Sequence, residues 1–213
     1  GSSVFAPATK EELQTAVDLW VNDNATALET YGEINTWDVS LITDMSDLFK
    51  NKTTFDSDIG NWDVSNVTTM QSMFESDSWV PTQFSQDISG WDVSSVTNMA
   101  FMFRYNTMFN QDLSSWDVSS VTTMQSMFGV LSPFNQDISS WDVSNVTNMQ
   151  GMFNYNISFN QDISSWDVSN VTDMTNIFND ADALSDENKC AIHTSWSSND
   201  AWPYDWSDLC VTT

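Results

Sequence analysis

The chain has 213 residues, with five Lys or Arg side chains against 30 Asp or Glu side chains, giving a formal net charge of −25. So few cations make nucleic acids and anionic lipid surfaces poor partners, because both are bound through positive charge. Hydrophobic residues make up 40% of the chain and include 11 Trp, so we expect one folded body rather than an acidic disordered tail. No segment reaches the apolar length of about 20 residues that a membrane helix needs, so we expect no membrane insertion.

The N-terminal part, residues 4–32, is predicted to be a helical cap. Residues 1–3 are interpreted as a cloning scar, so any native export signal would have been removed. A Thr-Lys-Glu-Glu capping box begins at Thr9, and apolar residues follow it at helical spacing. We therefore predict an amphipathic helix from about Lys10 to Val21 that covers the first repeat.

Six copies of one unit fill residues 33–180. Their Trp-Asp pairs follow one another at intervals of 25 residues, with one interval of 29, and begin at Trp37, Trp62, Trp91, Trp116, Trp141 and Trp166. A unit of this size cannot bury its own apolar face, so the copies are expected to stack. The alternation in Trp-Asp-Val-Ser predicts a short strand, and the later Met-x-x-Met-Phe spacing predicts a helical or 3-10 return segment.

The fullest copy, Phe-Asn-Gln-Asp-Ile-Ser-Ser-Trp-Asp-Val-Ser-Asn-Val-Thr-Asn-Met, runs from Phe134 to Met149 and resembles the repeat of BspA-like bacterial surface proteins. Its order Ile-x-x-Trp-x-Val-x-x-Val-x-x-Met also resembles a leucine-rich-repeat core with Leu replaced. The resemblance covers about residues 33–180 and implies an extracellular or cell-surface setting, without naming a ligand. We therefore predict a repeat solenoid of six coils with a leucine-rich-repeat-like parallel β-sheet, short helical or 3-10 return segments and a cap at each end.

Residues 181–213 are predicted to form the C-terminal cap, with a short helix from Ser185 to about His193. Cys190 and Cys210 are the only two cysteines, and we predict a disulfide between them, which implies an oxidising compartment. The alternative is a zinc site that adds His193 to the two thiolates.

Two columns of carboxylates are expected to run along the stacked repeats. The first Asp column follows each Trp and contains Asp38, Asp63, Asp92, Asp117, Asp142 and Asp167. The second Asp column lies four residues before each Trp and contains Asp58, Asp87, Asp112, Asp137 and Asp162, with Glu33 in the first copy. Repulsion within a column can be offset by amide and Ser donors, by raised carboxyl pKa values, or by bound cations. In the functional alternative the first column binds calcium, sugar hydroxyls or a cationic partner, with calcium expected at Asp92, Asp117 and Asp142.

Two further features have both a structural and a functional interpretation. Trp79 lies on a four-residue insertion, and it either packs beneath its own loop or stands exposed as a platform for a ligand. A Thr column contains Thr43, Thr68, Thr97, Thr122, Thr147 and Thr172. Its hydroxyls either bond locally within turns or present a regular ice-binding face.

The sequence predicts a non-enzymatic, extracellular recognition or adhesion module that uses the first Asp column and Trp79 to bind a cell-surface protein or glycan. A single His and the absence of a glycine-rich phosphate loop argue against familiar catalytic motifs. We expect a monomer that needs no cofactor, apart from the calcium considered above. The alternatives are a structural spacer of a larger surface protein, a carboxylate-based glycoside hydrolase, and ice binding through the Thr column.

Overall fold

The computed structural model describes residues 3–211, so the first two residues of the expected cloning scar lie outside the described residues. The helices of the described part are α1 (Lys10–Asn22), α2 (Asn24–Tyr31) and α3 (Asp186–Trp196), with 3-10 turns at Ile34–Thr36 and Ser207–Cys210. The repeats lie between α2 and α3 and stack on one another along one continuous buried core. The exact borders of caps and repeats stay predictions.

The prediction of a leucine-rich-repeat-like solenoid with a parallel β-sheet is wrong. Residues 3–211 contain no extended strand and no sheet. Consecutive repeats are joined by isolated parallel bridges of one residue each, which pass from Asp44 through Thr69, Asn98, Thr123 and Asn148 to Asp173, with one more between Thr82 and Asn106. The return segments, predicted to be helical or 3-10, are runs of turns instead.

Side-chain hydrogen bonds explain why the Trp-Asp-Val-Ser segment bends instead of forming a strand. Oδ1 of Asp142 accepts a hydrogen bond from the amide of Ser144 at 3.0 Å. Three residues further along, the amide of Val146 donates to the carbonyl of Val143 at 2.9 Å, which closes a turn. Asp and Ser side chains compete with a sheet ladder for backbone amides, so the chain turns while Trp and Val still point inward.

The return segment divides its backbone hydrogen bonds between the next repeat and its own. The amide of Phe103 donates to the carbonyl of Met127 in the next repeat at 3.0 Å, whereas the amide of Arg104 donates back to the carbonyl of Phe101 at 3.2 Å. This alternation requires a left-handed residue at the same position of every repeat, and these residues are Asp47, Ser72, Phe101, Ser126, Gly151 and Asn176. The repeats are therefore joined by main-chain bonds although no sheet forms.

Stacked aromatic rings fill the core. The rings of Trp141 and Trp166 lie 6.3 Å apart and nearly parallel, and those of Phe128 and Phe153 lie 6.0 Å apart. From the second repeat on, the indole of each repeat also anchors that repeat to the preceding one, as where Nε1 of Trp166 donates to the carbonyl of Ile138 at 3.0 Å. Each of these Trp rings is therefore buried with its one polar atom, Nε1, hydrogen-bonded.

The helix predicted from Lys10 is confirmed as α1. The hydroxyl of Thr9 accepts a hydrogen bond from the amide of Glu12 at 3.2 Å, and the helix buries Leu13, Ala16, Val17 and Trp20 against the first repeat. At the other end α3 begins after Ser185 and is tied to the last turn by the predicted disulfide, Cys190–Cys210, which is also confirmed. No helix in residues 3–211 is long and apolar enough to cross a membrane.

Candidate functional site

The first Asp column is held by its own turns. In all six repeats Oδ1 of the Asp accepts the amide hydrogen of the Ser two residues later at 3.0 Å. The Ser hydroxyl donates to the same oxygen in the second, third and fourth repeats, at 2.6, 2.6 and 2.5 Å. The six carboxylates lie exposed in one row. Every member of the column thus shares the same amide hydrogen bond, as the structural interpretation expects.

These hydrogen bonds lower carboxyl pKa values rather than raise them. In the first column hydrogen bonds from the Ser two residues later lower the pKa of Asp38, Asp92, Asp117, Asp142 and Asp167. In the second column hydrogen bonds from the Ser two residues later lower the pKa of Asp87, Asp112 and Asp137. Neighbouring carboxylates oppose this effect only weakly, as Asp92 does at Asp117. Raised pKa values are thus not how these positions relieve their repulsion.

Neither predicted kind of metal site gains support. Within residues 3–211 no three His, Cys, Asp or Glu side chains are grouped so that they could hold a metal ion. Calcium at Asp92, Asp117 and Asp142 stays a prediction. The zinc alternative is wrong, because both cysteines are consumed by the disulfide and Nδ1 of His193 accepts the indole hydrogen of Trp202 at 3.1 Å.

The Thr column is exposed, but its hydroxyls serve the stacking of the repeats. Oγ1 of Thr122 donates to the carbonyl of Thr97 in the preceding repeat at 3.1 Å. The same bond recurs from Thr68, Thr97, Thr147 and Thr172 at 3.2 to 3.3 Å. A hydroxyl whose hydrogen is already donated to a carbonyl can offer water only its lone pairs. The column therefore supports stacking better than it supports ice binding.

Trp79 is where the surface departs from the acidic pattern. Its side chain is 98% exposed, which contradicts the interpretation that it packs beneath its own loop. Beside it lies a cavity of about 320 Å³, which we call the Trp79 groove and whose walls include Asp77, Trp79, Arg104, Tyr105, Val130 and Leu131. Trp79 and Leu131 are both exposed, and because large exposed apolar side chains are usually scattered singly, two at one cavity mark a candidate binding surface.

The loop that presents Trp79 is braced from beneath. Oγ of Ser76, which is fully buried, donates to the carbonyl of Val80 at 2.6 Å and so closes the insertion on itself. Oγ1 of Thr82 donates to the carbonyl of Phe74 at 2.6 Å, and the hydroxyl of Tyr105 donates to the carbonyl of Trp79 at 3.4 Å. An aromatic ring on a braced loop loses little conformational freedom when a ligand covers it.

Of the two cations near the groove, Lys50 forms ion pairs and Arg104 forms none in the described part of the chain. Nζ of Lys50 lies 2.9 Å from Asp77 and 3.4 Å from Glu75. Burial raises the pKa of Glu75, and the charges of Lys50 and Arg104 act in the opposite direction. No carboxylate of the described residues lies within 4.0 Å of Arg104, whose guanidinium donates only to the carbonyl of Ser76, at 3.5 Å. Arg104 therefore forms no ion pair within the described residues, although its charge also acts on Glu75 from a longer distance.

Sequence reasoning found Trp79 but missed Arg104, Tyr105 and Leu131. A usable signal was present, because Arg104 is the only Arg of the chain. Tyr105 and Tyr155 also occupy one repeat position, and recurrence of a Tyr there was a second signal. The first Asp column, by contrast, is not among the residues that line the groove.

A family model described as "Mycoplasma protein of unknown function, DUF285" matches residues 19–131 and 112–200. The chain belongs to the DUF285 family. This match is consistent with the resemblance to BspA-like surface proteins, although it does not support leucine-rich repeats, and the disulfide is compatible with an extracellular setting. No curated protein and no solved structure matches the chain.

Proposed function

We propose that this DUF285 chain is a non-enzymatic extracellular recognition module that binds its ligand at the Trp79 groove. The observation that carries the proposal is the side chain of Trp79, 98% exposed on a braced loop beside a cavity of about 320 Å³. Trp and Arg are the residues most often found at the energetic centre of interfaces, and here they share one groove.

The carboxylate columns favour recognition over hydrolysis. A glycoside hydrolase needs two carboxyl groups in different surroundings, so that one is protonated while the other is ionised. In this chain Oδ1 of every Asp in the two columns accepts the amide hydrogen of the residue two positions later, and every pKa shift resolved in the columns is downward. Such carboxylates stabilise turns and are unsuited to donating a proton at neutral pH.

The test compares two exposed apolar side chains. Trp79→Ala removes the ring from the groove, whereas Leu41→Ala removes a side chain that is 63% exposed and does not line the groove. We expect Trp79→Ala to reduce binding to a printed glycan array and to intact cells at least about 10-fold, a typical effect for a central aromatic contact. Leu41→Ala should bind like the parent chain. Equal binding by all three proteins would refute the groove as the recognition site, whereas no binding by the parent chain would favour a structural spacer.

A further inference from the structure

We propose that the Trp79 groove recognises an acidic glycan, with Arg104 bound to the carboxylate of a uronic-acid sugar and Trp79 and Tyr105 packed against the sugar rings. This assignment rests on the proposed function and adds the chemical class of the ligand. Three features of the molecule support this ligand class: the charge of the groove, the hydrogen bonds of its backbone, and the exposed side chains that continue along the repeats.

Charge complementarity points to a carboxylate. Arg104 is the one cation among the residues lining the groove, and the carboxylates of Glu75 and Asp77 are already bound to Lys50. A guanidinium offers a fixed fork of donors that matches the two oxygens of a carboxylate. The chain as a whole repels anions through its net charge of −25, but salt screens exposed charges beyond about 8 Å at physiological ionic strength, so the groove acts locally.

The backbone of the groove is not available to an extended peptide. The amides of Tyr105, Val130 and Leu131 donate to carbonyls of the following repeat at 3.0, 2.7 and 2.8 Å. Peptides that add a strand, or that place a terminal carboxylate on backbone amides, need free main-chain groups. The groove offers planar rings and a guanidinium instead, which suits a ligand that is itself a ring bearing a carboxylate.

The exposed side chains continue beyond the groove, which favours a polymer over a single small molecule. Tyr155 occupies the repeat position of Tyr105 two repeats later and is 49% exposed. Leu131 and Ile157 lie along the same edge with 44% and 56% exposure. A chain of sugar rings that starts at Arg104 would meet one exposed aromatic or aliphatic side chain after another along this edge.

The experiment measures binding of two matched oligosaccharides by isothermal titration calorimetry. One is a hexamer of galacturonic acid, and the other is the same hexamer with its carboxylates chemically reduced to alcohols. We expect the acidic hexamer to bind more tightly, and Arg104→Gln to weaken its binding about 10-fold while changing that of the reduced hexamer little, because only the charged hydrogen bond is lost. The affinity of Arg104→Lys for the acidic hexamer should lie between those of the parent chain and Arg104→Gln. Trp79→Ala should weaken the binding of both hexamers, and Leu41→Ala should weaken the binding of neither.

The other outcomes separate this assignment from the proposed function. Equal affinity for both hexamers would show that no carboxylate is recognised, and no effect of Arg104→Gln would show that Arg104 does not bind one; either result would overturn the assignment. Binding of an acidic hexapeptide in place of both sugars, lost on Trp79→Ala, would overturn the glycan but leave the groove as the site. Unchanged binding by Trp79→Ala in every titration and on the array would overturn both. Thermal melting shows whether each variant is folded, which we expect because the substituted side chains lie at the surface.

Discussion

The indole ring of Trp196 in α3 stacks on that of Trp166, with 6.1 Å between ring centres and 15° between planes. The C-terminal helix thus supplies the next ring of the Trp column although it has no repeat sequence. It does not reproduce the hydrogen bond of that column. Nε1 of Trp166 donates to the carbonyl of Ile138, whereas Nε1 of Trp196 is buried without a partner in the described part of the chain.

The first prediction follows from this difference between two stacked indoles. Trp166→Phe removes ring area and one of the two hydrogen bonds that the carbonyl of Ile138 accepts, the other coming from the amide of Trp141 at 3.1 Å. Trp196→Phe removes similar area and an unsatisfied donor. We expect Trp166→Phe to lower the free energy of unfolding by about 0.5 to 1.5 kcal/mol more than Trp196→Phe, the usual net contribution of one hydrogen bond. Urea unfolding followed by circular dichroism measures both. Equal losses would mean that the indole hydrogen bonds add nothing to the stacking.

The second prediction concerns the left-handed position of the return segment. Gly151 occupies it with φ +61, and an added Cβ would lie 3.1 Å from Oγ of Ser126. Gly151→Ala should therefore destabilise the fold by about 1 kcal/mol, since a left-handed backbone disfavours a Cβ. Gly90→Ala is the matched control, because its Cβ meets nothing within 4 Å and its φ is not positive. Thermal melting that ranks the two variants in the opposite order would contradict this explanation.

The repeat pattern predicted the core well. The inward positions taken from the fullest copy, including Ile138, Trp141, Val143 and Met149, are all buried. Such a prediction succeeds because burial follows from apolar side chains recurring in register, whatever the backbone does between them. The two cysteines were similarly informative, since two cysteines in one short cap allow only one disulfide pairing within the chain.

The backbone could not be predicted in the same way. Asp142 and Val143 alternate outward and inward as in a strand, but the Asp-x-Ser spacing also lets Asp142 bind the amide of Ser144, and that bond bends the chain. The left-handed position was hidden because it is occupied by several residue types, including Phe101. The groove was hidden for another reason: it joins an insertion to Arg104 and Leu131 from the next two repeats, and sequence spacing alone does not reveal which side chains meet there.

The third prediction concerns the disulfide. Cys190 and Cys210 are 20 residues apart and join α3 to the last 3-10 turn. Closing a loop of this length stabilises the folded state by about 3 kcal/mol, mainly by restricting the unfolded chain. We expect the double variant Cys190→Ser/Cys210→Ser to unfold at lower urea concentration, and the parent chain to do the same with a reducing agent. A reducing agent should not change the urea midpoint of the double variant. A change in that midpoint would show that the reducing agent acts on something other than the disulfide.

The last prediction concerns acid. Hydrogen bonds from Ser lower the pKa of Asp92, Asp117 and Asp142 below the ordinary value of 3.8, so the folded state favours their ionised forms. Their contribution is fully present above that pH and is lost as the pH falls through the lower folded pKa values. The melting temperature should therefore decline over the most acidic part of a series from about pH 6 to about pH 2.

A Ser variant isolates this effect from the general change in charge. Ser119→Ala removes the hydroxyl that donates to Asp117 at 2.5 Å but keeps the amide that donates to the same oxygen. Its melting temperature should therefore depend less steeply on pH below 3.8 than that of the parent chain. Ser140→Ala is the control, because that hydroxyl donates to the carbonyl of Ser114 and to no carboxylate. A melting temperature that rises on acidification would show that relief of repulsion among the 30 acidic side chains outweighs the loss of these turns.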